Sequence, residues 1–267
     1  MLLKLADDLQ TVDIHNHLWG NKDMSLNVAE AEMLLNAADK LGIHRIGISN
    51  PDPVLEFVPS DVIRQRNKLV IEAMQFSDRF IGFCYLDPNN GEESVTEIER
   101  CVNLGMAGIK LYHQLKIQHE GQHFIMETAA KYGIPVLMHA GKCCDPDTLS
   151  RQPRLSNAAD FMEALEKYPD TMFIQGHIGG GGDWQWNLRC LETVESDNYF
   201  IDISGSIVDA NMVRDTVDAV GASRVLFATD MSMEEGVGKL MAARLSDKEM
   251  KMICSGNWER IAARRKR

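Results

Sequence analysis

Residues 12–20 read VDIHNHLWG, and the fold is decided by what this stretch does. An apolar approach runs directly into His15 and His17, with only Asn16 between them. Residues two apart on a β-strand project to the same side, so the two imidazoles share one face. Two rings side by side at the end of an apolar strand are costly to bury unless they hold something.

Working outward, the same rhythm recurs along the chain. The strand TVDIHNH (11–17) precedes the helical stretch SLNVAEAEMLLNAADKLG (25–42), with Ser25 as its expected cap and Gly42 as its stop. HRIGISN (44–50) leads to DVIRQRNKLVIEAMQF (61–76), and RFIGFCYLDP (79–88) to ESVTEIERCVNLG (93–105). AGIKLYH (107–113) leads to HFIMETAAKYG (123–133), and IPVLMHAG (134–141) to NAADFMEALEKYP (157–169). TMFIQGHIGG (171–180) leads to DWQWNLRCLETVES (183–196), and YFIDISG (199–205) to ANMVRDTVDAVG (210–221). The last strand, RVLFATDMS (224–232), leads to the helices of LSDKEMKMICSGNWERIAARR (245–265).

Eight strand–helix units in about 250 residues, with strands apolar enough to be covered on both faces, predict a single (β/α)8 TIM barrel in the α/β class. No linker or low-complexity segment divides residues 1–267, so one domain is expected. An open doubly wound sheet would carry a glycine fingerprint after its first strand. VDIHNHLWG has none.

A net charge of −11 argues against a nucleic-acid partner, which needs a basic surface. The basic tail RIAARRKR (260–267) reads as a helix end with favourably placed cations. Lys4, Asp7 and Asp8 break the opening MLLKLADDLQ, so no signal-peptide core is expected, and no apolar run suits a bilayer. The six cysteines form no CxxC pair, and the neighbours Cys143 and Cys144 read as free thiols in a reducing compartment. A soluble cytoplasmic protein is the expectation.

In a parallel barrel, chemistry collects at the C-terminal ends of the strands. Those ends carry His15 and His17, Lys110, His139, His177 and Asp230. A single histidine at such a position is usually packing. Four imidazoles and a carboxylate together suit a divalent metal: zinc, iron, manganese or nickel. Asp13 shares the parity of His15 and His17 but lies deeper, so a supporting role is expected, and Asp202 is a further outer partner. His44 begins its strand and belongs to the opposite end. His113, His119 and His123 fall in or after the loop following the fourth strand, where solvent exposure is as good an account as a place at the mouth. The run Gly179–Gly182 lacks a phosphate-loop lysine and reads as a loop close to the mouth. Trp184 and Trp186 either cover the site or pack. Lys142 and Arg154 are candidates to attract a substrate carboxylate, whereas Arg151 reads as surface charge.

Six motifs, DIHNH, GIKLY, VLMHAG, QGHIGG, FATD and ICSGNWERI, resemble the amidohydrolase superfamily in order and spacing, over essentially the whole chain. The nearest likeness is its amidohydrolase-related branch, which contains hydrolases and non-oxidative decarboxylases. The resemblance implies that His15, His17, His139 and Asp230 bind a metal ion, most simply one zinc. It implies either that His177 polarises the substrate or moves protons, or that His177 and a carboxylated Lys110 hold a second ion. Lys110 read alone stays charged and pairs with Asp230 or a substrate carboxylate.

The expected reaction is hydrolysis. Metal-activated water, with Asp230 as proton acceptor, attacks a C–N or C–O bond of an amide, cyclic amide, lactone or ester of a small, carboxylate-bearing substrate. Substrate contacts are expected from Lys110, Lys142, Arg154 and Trp184. Decarboxylation of an aromatic or unsaturated acid is the rival chemistry. Phosphoester hydrolysis fits the acidic charge poorly, and a non-catalytic binding barrel would be expected to have lost ligands. A homodimer is compatible with the sequence.

Overall fold

The computed structural model describes residues 3–266 except 179, 181, 206, 208 and 210. Eight strands run in chain order around one parallel sheet: β1 (Thr11–His17), β2 (Ile43–Ser49), β3 (Phe80–Tyr85), β4 (Gly108–Leu111), β5 (Val136–His139), β6 (Phe173–Gly176), β7 (Tyr199–Asp202) and β8 (Val225–Leu226). The ring closes where the Ile14 amide donates to the Phe227 carbonyl at 3.1 Å and the Asp230 amide donates to the His15 carbonyl at 2.8 Å. Parallel neighbours require a crossover, and helices supply each one, giving the expected (β/α)8 barrel. Among the described residues no helix is long and apolar enough to cross a membrane.

Strand alternation sorts the core into two shells. Ile109, Leu111, Met138, Tyr199 and Phe227 pack outward against the helices. Phe83, Leu137, Ile174, Phe200 and Leu226 form an inner cluster at the barrel floor. Lys110, His139, Asp202 and Asp230 therefore face the interior by parity, above that floor.

β1 breaks this simple alternation. Val12 and Ile14 belong to the inner cluster, yet His15 and His17 also face inward. The register against β2 slips between Asp13 and Asn16, so three steps on β1 match two on β2. This bulge corrects the parity expected for Asp13. It turns away from the two histidines and hydrogen-bonds Asn16 Nδ2 at 2.5 Å.

The helices follow the amphipathic pattern, with local corrections. The first, α1 (Val28–Leu41), is capped by Asn27, whose side chain accepts from the Glu30 amide, not by Ser25. Gly42 ends it at φ 76°. A Cβ there would lie 2.3 Å from the Leu5 carbonyl oxygen, so both conformation and space require glycine. α2 (Ser60–Phe76), α3 (Glu93–Asn103) and α4 (His123–Tyr132) agree closely with the reading. A short helix, α5 (Pro146–Arg151), was not expected and stands in the loop after β5. α6 (Ala158–Lys167), α7 (Trp184–Leu191) and α8 (Met212–Val220) follow, and α9 (Met233–Ala242) fills a segment the sequence reading left empty. α10 (Asp247–Lys251), a π-helical turn over Met252–Gly256, and α11 (Asn257–Ala262) close the barrel floor.

The SGNWERI segment performs that closure. Asn257 Nδ2 donates to the Ala222 and Val225 carbonyls at 2.8 and 2.7 Å. Trp258 packs its ring 5.7 Å from Phe83. Beyond it, Arg265 Nη2 donates to the Val102 carbonyl at 2.7 Å and Lys266 Nζ to the Ala130 carbonyl at 3.1 Å. The basic tail thus serves the C-terminal ends of α3 and α4, where cations are favoured.

Candidate functional site

The barrel mouth brings His15, His17, His177, His139, Lys110 and Asp230 together. Asp230 Oδ1 lies 3.0 Å from His17 Nε2 and 3.7 Å from His15 Nε2, and its Oδ2 lies 3.5 Å from His177 Nε2. His177 Nε2 is 3.0 Å from His139 Nδ1. The His15 and His177 rings are stacked, 5.1 Å apart and 8° from parallel. Lys110 Nζ reaches His15 Nε2 at 2.6 Å.

Each imidazole is oriented by a partner behind it. His15 Nδ1 meets Asp202 Oδ2 at 2.8 Å, His17 Nδ1 meets Ser49 Oγ at 3.1 Å, and His177 Nδ1 meets Ser204 Oγ at 2.6 Å. His139 Nε2 meets Gln152 Oε1 at 3.3 Å, and its ring stacks on Tyr112 at 4.3 Å and 7°. Asp202 therefore occupies the supporting position expected of it. Ser49, Ser204, Tyr112 and Gln152 were missed by sequence reasoning. A signal existed for two of them: Ser49 ends the second strand, and Ser204 follows Asp202 by two in YFIDISG.

Close packing beneath the site is imposed by β6. Gly176 occupies an inward position where a Cβ would lie 2.8 Å from Asp202 Oδ2 and 3.0 Å from the His15 ring. Any side chain would displace one of them.

Asp13 works behind the strand. Its Oδ1 accepts from the His15 amide at 3.2 Å, and Asn16 Oδ1 accepts from the Met231 amide at 3.0 Å. Asp230 and Met231 have φ of 45° and 74°, a left-handed turn that aims the Asp230 carboxylate back at the histidines. Burial raises the Asp13 carboxyl to about 7, against hydrogen bonds from Thr229 and His15.

The electrostatics suit a cation. Burial pushes His15 well below the usual imidazole range, and the Lys110 charge adds to this. Burial likewise lowers His17 and His139, and takes His177 down to about 4. Burial lowers Lys110 to about 8, with Asp230 and Asp202 opposing. Asp230, which burial alone would raise, is held well below the carboxylate range by His15, His177 and His17. Burial raises Asp202, opposed by His177 and by the Ser204 hydrogen bonds.

Neutral imidazoles and an ionised carboxylate are the states in which these groups ligate. One ligand atom each from His15, His17 and Asp230 lies within 4.8 Å of the others, and the same is true of His15, His177 and Asp202. The donor set of His15, His17 and Asp230 fits a divalent ion, whereas His139 lies outside both groups and meets His177 at 3.0 Å.

The other expected residues lie farther out. Trp184 is only 4% exposed and packs in the outer apolar shell. Lys142 sets its ammonium 4.4 Å from the Trp186 ring, and Arg154 pairs with Glu56 at 3.7 Å. Arg151 donates to the Asp147 carbonyl on exposed α5. His113 is buried, with Nε2 3.2 Å from the Pro53 carbonyl. His119 accepts from the Gly121 amide, His123 pairs with Glu127, and His44 contacts Gln10 at the opposite end of the barrel. Of the glycine run, residues 179 and 181 lie outside the described residues, while Gly182 bridges Cys143.

Residues 12–261 match the family model Amidohydro_2, described as amidohydrolase. Among solved structures, 2,6-dihydroxybenzoate decarboxylase from Rhizobium superposes with a TM-score of 0.75 at 17% identity, covering 95% of this chain and 98% of that one. A dihydroxybenzoic acid decarboxylase from Polaromonas, with bound manganese and the inhibitor 2-nitroresorcinol, gives 0.73 at 17% identity, covering 95% and 96%. The 4-oxalomesaconate hydratase of Rhodopseudomonas palustris gives 0.74 at 18% identity, covering 95% and 96%. No curated protein matches the chain.

Proposed function

This chain is an enzyme of the amidohydrolase family, and from that premise we propose that it hydrolyses a C–N or C–O bond in a small, carboxylate-bearing amide, cyclic amide, lactone or ester. His15, His17, His139 and Asp230 would hold the divalent ion. When bound, such an ion lowers the pKa of a coordinated water to about 7 and polarises an adjacent carbonyl. The observation that carries the reading is the position of Asp230. Its carboxylate oxygens, acceptor-only when ionised, lie within 3.0–3.7 Å of His17, His15 and His177.

Asp230 takes the proton of the attacking water and returns it to the leaving group. His177, 3.5 Å from the other Asp230 oxygen, relays protons between that carboxylate and the substrate. Lys110 offers a positive charge beside His15 for a substrate oxygen or carboxylate. Lys142 and Arg154, farther out in loops on the mouth side, would draw an acidic substrate inward.

Zinc, one ion per chain, is the assignment we take forward; manganese in a structural neighbour keeps that ion as its rival. Six free cysteines agree with a reducing, cytoplasmic setting. A small-molecule substrate, and a monomer or homodimer without nucleic acid or membrane, complete the reading.

Decarboxylation of an aromatic or unsaturated acid is the second reading, favoured by neighbours that are decarboxylases. The two separate in water enriched in 18O. Metal-loaded enzyme is offered a panel of lactones, cyclic amides and unsaturated or aromatic acids. Label in the product without CO2 is expected; CO2 release without label overturns hydrolysis.

A further inference from the structure

We propose that Ser204 is a positioning residue. It passes a hydrogen-bond chain from Asp202 to His177 that keeps the ring proton of His177 on Nδ1, so that Nε2 presents a lone pair to the site. The other oxygen of Asp202 imposes the same tautomer on His15.

Counting donors gives the assignment. The Ser204 backbone amide donates to Asp202 Oδ1 at 2.9 Å, and the Ser204 hydroxyl approaches the same oxygen at 2.5 Å. That hydroxyl also lies 2.6 Å from His177 Nδ1 and 3.5 Å from His15 Nδ1. A hydroxyl has one proton, and an ionised carboxylate only accepts. The proton goes to Asp202, so Ser204 Oγ meets His177 Nδ1 as an acceptor. His177 then carries its N–H on Nδ1 and is bare at Nε2. At Asp202 Oδ2, 2.8 Å from His15 Nδ1, the same count leaves His15 bare at Nε2. Lys110 supports this independently, because its Nζ, 2.6 Å away, donates into that lone pair. Asp202 and Ser204 are 0% and 1% exposed, which keeps solvent from substituting for either partner.

The consequence deepens the proposed hydrolytic role and, for its chemistry, rests on it. A neutral His177 of this tautomer cannot donate from Nε2. It acts toward the mouth as a ligand or a proton acceptor, and becomes a donor only after taking a proton. With Nε2 bare, the 3.0 Å contact makes His139 the donor from Nδ1; His139 Nε2 then accepts from the Gln152 amide, whose oxygen and nitrogen are interchangeable by a flip, and Asp230 Oδ2 lies at 3.5 Å.

The test is ring 1H–15N correlation spectroscopy of the metal-free, full-length protein labelled at histidine. Wild type is expected to show His15 and His177 each protonated on Nδ1. Ser204→Ala should leave His15 unchanged and give His177 a mixture of tautomers. Asp202→Asn should invert one of the two rings, since an amide replaces one acceptor oxygen by a donor. Zinc affinity, measured by chelator competition, should fall about 10–100-fold in Ser204→Ala and largely return in Ser204→Thr, which keeps the hydroxyl. A wild-type His177 protonated on Nε2, a single Nδ1 tautomer persisting in Ser204→Ala, or unaltered affinity in that variant overturns the proposal. Should wild type take up no ion at all, the proposed function fails, while the metal-free spectrum still judges the tautomers.

Discussion

Asp13 and Thr229 are joined twice: the Asp13 carboxylate accepts from the Thr229 amide at 3.1 Å and from its hydroxyl at 2.5 Å. The strand carrying His15 and His17 is thereby fastened to the turn carrying Asp230. Neither residue touches the ion we propose, yet both set the distance between its ligands. Thr229→Val keeps the shape and removes the hydroxyl, leaving Asp13 and Asn16 each short of a partner. A loss of about 1–3 kcal/mol in denaturant unfolding is expected, together with weaker metal binding. Wild-type values for both would show that the link contributes nothing.

Asp230→Asn tests the proton acceptor. Asparagine tolerates the left-handed backbone at this position, φ 45°, so the fold should persist. The amide presents a donor where the carboxylate offered an acceptor, and kcat on a verified substrate should drop roughly 10²–10⁴-fold. The thermal midpoint should stay within a few degrees of wild type. Turnover close to wild type would remove Asp230 from the chemistry.

Gly176→Ala tests the crowding under His15. The added methyl would meet Asp202 Oδ2 at 2.8 Å and the His15 ring at 3.0 Å, both held by short contacts of their own. Displacing them should lower metal affinity by an order of magnitude or more, whereas an exposed Gly→Ala change in a permissive backbone is stabilising. Titration with zinc under chelator competition reads the effect, and undiminished affinity would mean that the ring can move without cost.

β1 was legible in the sequence over 11–17 because Thr11, Val12 and Ile14, interrupted only by Asp13, lead to the two histidines, and the strand-end positions of Lys110, His139 and His177 followed from the same repeat. The bulge between Asp13 and Asn16 was not legible, because alternation in one strand says nothing of its register against a neighbour. α9 was missed since Gly236 and Gly238 weaken its helical pattern, and α5 since six residues carry too little periodicity. Asn27 displaced Ser25 as a cap because only the folded chain shows which side chain reaches a free amide. Ser49 and Ser204 stand at or near strand ends, but their pairing with His17 and His177, 32 and 27 residues away, exists only once the barrel brings those ends together, and Gln152 reaches His139 only through the short helix α5.

Acid sensitivity should have a component far from the site. Glu97 on α3 accepts from Arg100 at 2.6 and 2.8 Å and from Asn67 at 2.9 Å. Burial would raise its carboxyl, but these donors outweigh burial and hold it below its ordinary value of 4.5. A carboxyl depressed by folding contributes stability that is fully present above the unfolded value and is lost as pH falls through the folded one. Unfolding followed from pH 7 to pH 3 should therefore show a smaller acid-induced loss in Glu97→Gln than in wild type. Identical pH profiles would place the acid sensitivity elsewhere.

We propose that His15, His17, His139 and Asp230 hold one divalent ion at the mouth of the barrel. Elemental analysis of protein purified without added chelator, at known concentration, tests it most directly when wild type is run beside His15→Ala and His17→Ala. Close to one transition-metal equivalent is expected in wild type, with its loss in both folded variants. Wild-type protein that never retains a metal, or variants that retain it in full, would show that these residues do not bind the ion.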